Sequence, residues 1–155
     1  MLKKFLIIIL VLMFFTGCSY KTSNKKVSNY SEMICYKEAE ENDISSSNIV
    51  NVIFEDEKIF KITIKNDAYF SRTSLKYFNS EVKYLSQLYE SLGKIEGITS
   101  EFTSEDYFYT GSLTINYNII KTSDLENLNI DYNFNKNTKQ TDLILKLEAD
   151  NYKCE

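Results

Sequence analysis

Residues 49–65 read IVNVIFEDEKIFKITIK, and their reading decides the fold. Ile49 to Phe54 is a run of β-branched and aromatic residues, while Phe60, Ile62 and Ile64 alternate with Lys61, Thr63 and Lys65. A period of two sends apolar groups to one side of a pleated strand and polar groups to the other, so this segment predicts a strand with one wet face. The acidic triplet Glu55-Asp56-Glu57 supplies the turn, and the two halves predict an antiparallel hairpin. A second hairpin restarts beyond Gly97. Ile98 to Thr103 forms its first strand; in its second, Leu113, Ile115, Tyr117 and Ile119 alternate with Ser112, Thr114, Asn116 and Asn118.

Between the hairpins the period lengthens. Leu75, Phe78, Val82, Leu85, Tyr89 and Leu92 recur at three and four residues, which draws one apolar stripe along a helix that Gly93 ends. Ser123-Asp124-Leu125-Glu126 has the form of a capping box and predicts a helical turn near 124–128. Leu128, Ile130, Tyr132 and Phe134 then alternate with polar residues, as in a further strand. Thr141 to Ala149, with Leu143, Ile144 and Leu147 on one side, closes the chain as a helix. This order lacks regular βαβ alternation. The expectation is an α+β fold: an antiparallel sheet of about four to five strands covered by one long helix and a C-terminal helix.

The start of the chain is of another kind. Lys3 and Lys4 precede an apolar run from Phe5 to Phe15, which is too short to span a bilayer comfortably and has the length of a secretory h-region. Its end, Phe15-Thr16-Gly17-Cys18, resembles the lipobox of bacterial lipoproteins. That resemblance implies cleavage between Gly17 and Cys18 and a diacylglyceryl group on the Cys18 thiol; acyl chains bury at about 0.8 kcal/mol per methylene and anchor without a transmembrane helix. The expected division is a signal peptide over 1–17, a lipidated cysteine and polar tether over 18–34, and one extracytoplasmic domain over 35–155. Removal of Lys3 and Lys4 takes the formal charge from −4 to −6, so lipid rather than charge holds the protein at an anionic membrane. The same balance, with no basic stripe, speaks against nucleic acid as a partner. Cys35 opens the domain and Cys154 is its penultimate residue; in an oxidising compartment the simplest pairing joins them, the alternative being two unpaired thiols in a host that lives without oxidant.

The order of elements, taken with the lipobox at Cys18, the strands either side of Glu55-Asp56-Glu57, the helix through Tyr84 and Tyr89, the Gly97-Ile98-Thr99 restart, the Thr114-Ile115-Asn116-Tyr117 strand and the closing Tyr152-Lys153-Cys154, resembles the YehR-like lipoprotein family. The resemblance implies a lipoprotein of the bacterial envelope with a domain of unknown function. It carries over no catalytic residue.

The chain contains no histidine, which removes Ser-His-Asp and Cys-His nucleophilic sites and His-containing metal sites. Glu55-Asp56-Glu57 and Glu105-Asp106 fall in predicted turns, where adjacent carboxylates lack the burial that separates their pKa values for acid/base work. Asn127, Asn129 and Asp131 begin like a calcium loop, but Tyr132 and Thr138 stand where a glycine and a bidentate glutamate are needed. No enzyme activity and no cofactor are expected. Two readings remain. One is a non-catalytic surface lipoprotein that binds an envelope protein or cell-wall polymer, for which a wet amide and hydroxyl face flanked by tyrosines offers a surface. The other is a carrier of a small apolar ligand in a gap between helix and sheet lined by Phe78, Leu85 and Tyr89.

Overall fold

Asn42-Asp43 and Asp56-Glu57 all take positive φ, between 48° and 66°, and each pair forms the two-residue link of a hairpin. Paired positive φ values match the right-handed twist of antiparallel strands, and Asn and Asp tolerate that region better than most residues. The computed structural model describes residues 28–128 and 134–155. In chain order it holds β1 (Tyr30–Glu41), β2 (Ile44–Glu55), β3 (Lys58–Phe70), α1 (Leu75–Leu92), β4 (Ile98–Glu105), β5 (Phe108–Asn116), α2 (Thr122–Glu126), α3 (Gln140–Ala149) and β6 (Lys153–Cys154). The strands form one 6-stranded antiparallel sheet in the order β4-β5-β3-β2-β1-β6.

Both sequence-derived hairpins, the long helix and the C-terminal helix are present, although β5 ends at Asn116, so Tyr117, Asn118 and Ile119 of the expected strand lie in a turn. The expectation of four to five strands is not: the sheet has six, and strands rather than helices dominate the fold. Two strands were not foreseen, the two-residue β6 and the long β1, whose first residues, 30–34, fall in the stretch read as tether and whose last fall in the acidic stretch after it. β1 buries only Met33 and Cys35 among twelve residues, so no apolar alternation betrays it. Two residues of β6 complete the sheet by pairing Cys154 and Lys153 with Cys35 and Tyr36. The helix expected near 124–128 instead runs from Thr122 to Glu126, two residues early, and has no side-chain cap. The strand expected over 128–135 crosses residues 129–133, and the signal peptide, Gly17 and Cys18 precede residue 28; these lie outside the described residues.

Register explains where the core sits. Met33, Val52, Ile62, Ile115 and Ile98 align across five strands, and in the next row of the same face come Cys35, Val50, Ile64 and Leu113. All are buried, and they share one apolar cluster with Tyr89 and Leu92 of α1, Leu125 of α2 and Leu143 and Leu147 of α3. A smaller cluster at the far end holds Ala68, Phe70 and Phe78. Every helix therefore contributes to the same side of the sheet. Gly111 marks the closest approach: a Cβ there would collide with the hydroxyl and Cζ of Tyr89, whose ring lies over it.

The Cys35–Cys154 disulfide is formed, with Cα atoms 4.0 Å apart and Cys35 wholly buried. Backbone bonds in both directions between Ile34 and Glu155, of 3.2 and 2.8 Å, continue the pairing. The bridge spans a sequence separation of 119, so it strongly restricts the unfolded chain. Replacing both cysteines by alanine should lower the free energy of unfolding by about 2–4 kcal/mol. Urea transitions of the two proteins measure this, and coincident curves would contradict it. Gly111→Ala should cost about 1–3 kcal/mol through overpacking against Tyr89, read in the same titration; a neutral result would show that the Tyr89 ring does not hold the position described.

Candidate functional site

Because successive strand residues point to opposite sides, each buried row has a counterpart on the other face, and no helix among the described residues covers that face. Its central rows run Tyr36–Ile49–Lys65–Ser112–Glu101 and Ile34–Asn51–Thr63–Thr114–Thr99. Hydroxyl and amide groups occupy the middle: Thr63 and Thr114 share a hydrogen bond of 3.1 Å across strands, and Asn51 Nδ2 donates to Glu32 Oε1 at 2.7 Å. The buried Asn51 Oδ1 finds no donor among the described residues. Ser112, Thr114 and Asn116, read from the sequence as a wet face, lie on this side.

Aromatic groups stand at both ends. A β-bulge at Ile53/Phe54 leaves Phe60 out of the pairing, and its ring meets Tyr30 edge-on at 5.8 Å. These two rings, with Ser31, Glu32 and Ile53, line a cleft of about 490 Å³. At the opposite end Tyr69 and Phe108 are cross-strand neighbours, 56% and 42% exposed. They border a cleft of about 540 Å³ with Glu38, Glu40, Ser45, Ser47 and Asp67. Exposed tyrosine and phenylalanine on one face, at both ends of a polar middle, form an amphipathic surface suited to binding.

Several ionisable groups are held by hydrogen bonds or by burial. Hydrogen bonds from Ser28, then Tyr30, hold the Glu55 carboxyl below its ordinary range, and the same Tyr30 hydroxyl, donating to Glu55 Oε1 at 2.9 Å, is pushed up by that bond. Burial raises Tyr109 to about 12 and also raises Tyr117, whose hydroxyl donates to the Phe134 carbonyl at 3.0 Å. Among the described residues no three His, Cys, Asp or Glu side chains gather as a metal site would need.

The structure divides the three residues expected to line a ligand gap. Phe78 packs on Phe70 at 5.2 Å in the smaller cluster, whereas Tyr89 packs on Phe102 at 5.5 Å in the main core and Leu85 lies half-buried against that core. Tyr89 alone of the three borders the small cleft of about 230 Å³ formed with Ser86, Glu90, Ser100 and Phe102. Cys35 and Cys154 do come together as expected. The sequence reading missed Tyr30, Tyr36, Tyr69 and Phe108. Their signal is parity: each shares its side of the strand with polar residues, which becomes visible only when the register is known.

No family model matches the sequence, and no curated protein matches it. Two solved structures share its fold. An NMR structure of a protein from Streptococcus pneumoniae TIGR4 superposes with a TM-score of 0.57 at 11% identity, covering 85% of this chain and 88% of that one. The NMR structure of the E. coli YehR protein gives 0.53 at 16% identity, covering 80% and 91%. The fold is thus YehR-like.

The Glu55 contact yields a test. A carboxyl whose folded pKa is depressed contributes stability above its unfolded pKa and loses it as pH falls through the folded value. Tyr30→Phe removes one of the bonds responsible, so the Glu55 titration should move upward toward that of a free glutamate. Carbon-detected NMR of the side-chain carboxyl reads this directly, and an unmoved midpoint would show that the Tyr30 hydroxyl does not hold Glu55.

Proposed function

We propose that this chain is a bacterial surface lipoprotein, held at the extracytoplasmic face of the membrane by lipid on Cys18, whose domain binds a partner of the cell envelope without catalysis. The observation that carries the reading is the uncovered sheet face, with Tyr30, Tyr36, Tyr69 and Phe108 exposed around rows of serine, threonine and asparagine. A domain that uses one face for its core and leaves the other amphipathic is built to present a surface. The leader supports the address, since its apolar run closes on Thr16-Gly17-Cys18. A disulfide joining the two ends of the domain fits a protein that matures outside the reducing cytoplasm.

The alternative, a carrier of a small apolar ligand, has less support, because Phe78, Leu85 and Tyr89 already pack against protein in two separate clusters. The anchor is tested by metabolic labelling with a fatty-acid probe. The wild-type chain should be labelled and processed at Gly17, and Cys18→Ala should be neither; equal labelling of the two would refute the lipid anchor.

A further inference from the structure

Beyond its short pairing near Cys35, β1 is an open edge of the sheet among the described residues. Among the described residues its partners on that side are β6, which pairs with Cys35 and Tyr36, and Glu155, which bonds to Ile34. Ile34 exchanges both backbone bonds with Glu155 on that side, so by alternation the N–H and C=O groups of Glu38 and Glu40 also point outward. No strand pairs with them among the described residues. They have the spacing a peptide backbone recognises, and an open edge of this kind takes up an extended chain as an added strand.

Side-chain chemistry selects which chain. The two cross-strand rows that begin at this edge are Glu38–Ser47–Asp67–Thr110 and Glu40–Ser45–Tyr69–Phe108, the latter ending at Glu105. They carry carboxylates at both borders, two exposed rings in the second row, and no lysine or arginine. Asp67 is held by the Thr110 hydroxyl at 2.7 Å and by Lys65 at 3.7 Å, whereas the carboxylates of Glu38 and Glu40 have no side-chain partner among the described residues. All residues of the two rows but Thr110 and Glu105 border the cleft of about 540 Å³. A second copy of this chain is disfavoured at this edge, because it would set glutamate against glutamate across the new pair. A neutral sugar would leave the backbone groups of the edge unused. Cationic side chains at alternate positions of an added strand meet Glu38 and Glu40, and a longer one reaches the faces of Tyr69 and Phe108, which attract cations.

We propose that the free edge of β1 from Lys37 to Glu41, with the adjoining Tyr69–Phe108 end of the open face, docks an extended, lysine- or arginine-bearing segment of a partner protein by strand addition. This deepens, and rests on, the reading of the open face as the binding surface.

The test uses the full-length chain in detergent micelles, followed by amide NMR. The probes are a peptide of about ten residues alternating lysine and threonine, its glutamate-for-lysine counterpart, and an N-acetylglucosamine oligomer. The basic peptide should shift the amides of Glu38 and Glu40 most, bind more weakly as salt rises, and lose roughly fivefold to tenfold in affinity in the Glu38→Gln/Glu40→Gln variant. Both substitutions keep the side-chain shape at exposed positions, so the variant should fold. Equal binding of the acidic peptide, or shifts confined to other elements, would overturn the inference. If the sugar oligomer shifts Tyr69 and Phe108 while the basic peptide does not bind, the strand-addition proposal fails and the open-face reading survives. Absence of any shift on β1 or the open face with all three probes would overturn both.

Discussion

One-sided burial is the constraint on which the rest of this molecule depends. Five strands place one residue each in the row Met33–Val52–Ile62–Ile115–Ile98, and a slip of one residue in any strand would send its apolar set to the wrong face. Full burial of a side chain of this size contributes about 1.5–3 kcal/mol, so the register is held by the core itself. Helices answer that row from one direction only. The same alternation that builds the core therefore also builds an uncovered face, and the surface proposed to bind is a consequence of the fold rather than an addition to it.

The disulfide ties this arrangement to the chain ends. β6 is two residues long, too short to hold itself to a sheet, and α3 has only Leu143 and Leu147 fully buried. Bonding Cys154 to Cys35 fixes both against β1 and spares a short terminal element the full entropy of ordering. It also explains why β1 is paired at its middle and bare toward Glu41. The bridge secures the strand where it meets the core, and the remainder extends beyond it as an edge whose glutamates discourage pairing between copies.

Much of this was legible in the sequence, for physical reasons that also explain the rest. Elements with strong one-sided patterns, such as Phe60–Lys65, Leu75–Leu92 and Ser112–Asn116, bury their apolar side and declare themselves. β1 did not, because ten of its twelve residues avoid full burial and its Glu32, Glu38 and Glu40 resemble a solvated linker. The disulfide followed from compartment and position, but Phe78, Leu85 and Tyr89, which form a single stripe on the helix, meet different parts of the sheet; a helix face shows that residues will be buried, not whether they share a pocket. The open face could not be assembled from the sequence, since Tyr30, Tyr69 and Phe108 belong to three strands and become neighbours of its two clefts only through pairing and a bulge.

On the proposed reading, lipid at Cys18 would confine the domain to the membrane surface, and confinement would raise the effective concentration at which a modest surface meets its partner. That account requires the face to be bare in the free protein. Its most direct test is paramagnetic relaxation by a soluble gadolinium chelate on methyl-labelled full-length chain. The isoleucine methyl groups of Ile34, Ile49 and Ile53 should relax much faster than those of Ile59, Ile62, Ile64 and Ile115, which lie on the covered side. Equal protection of the two sets would mean that the sheet is covered on both faces, and would contradict the account.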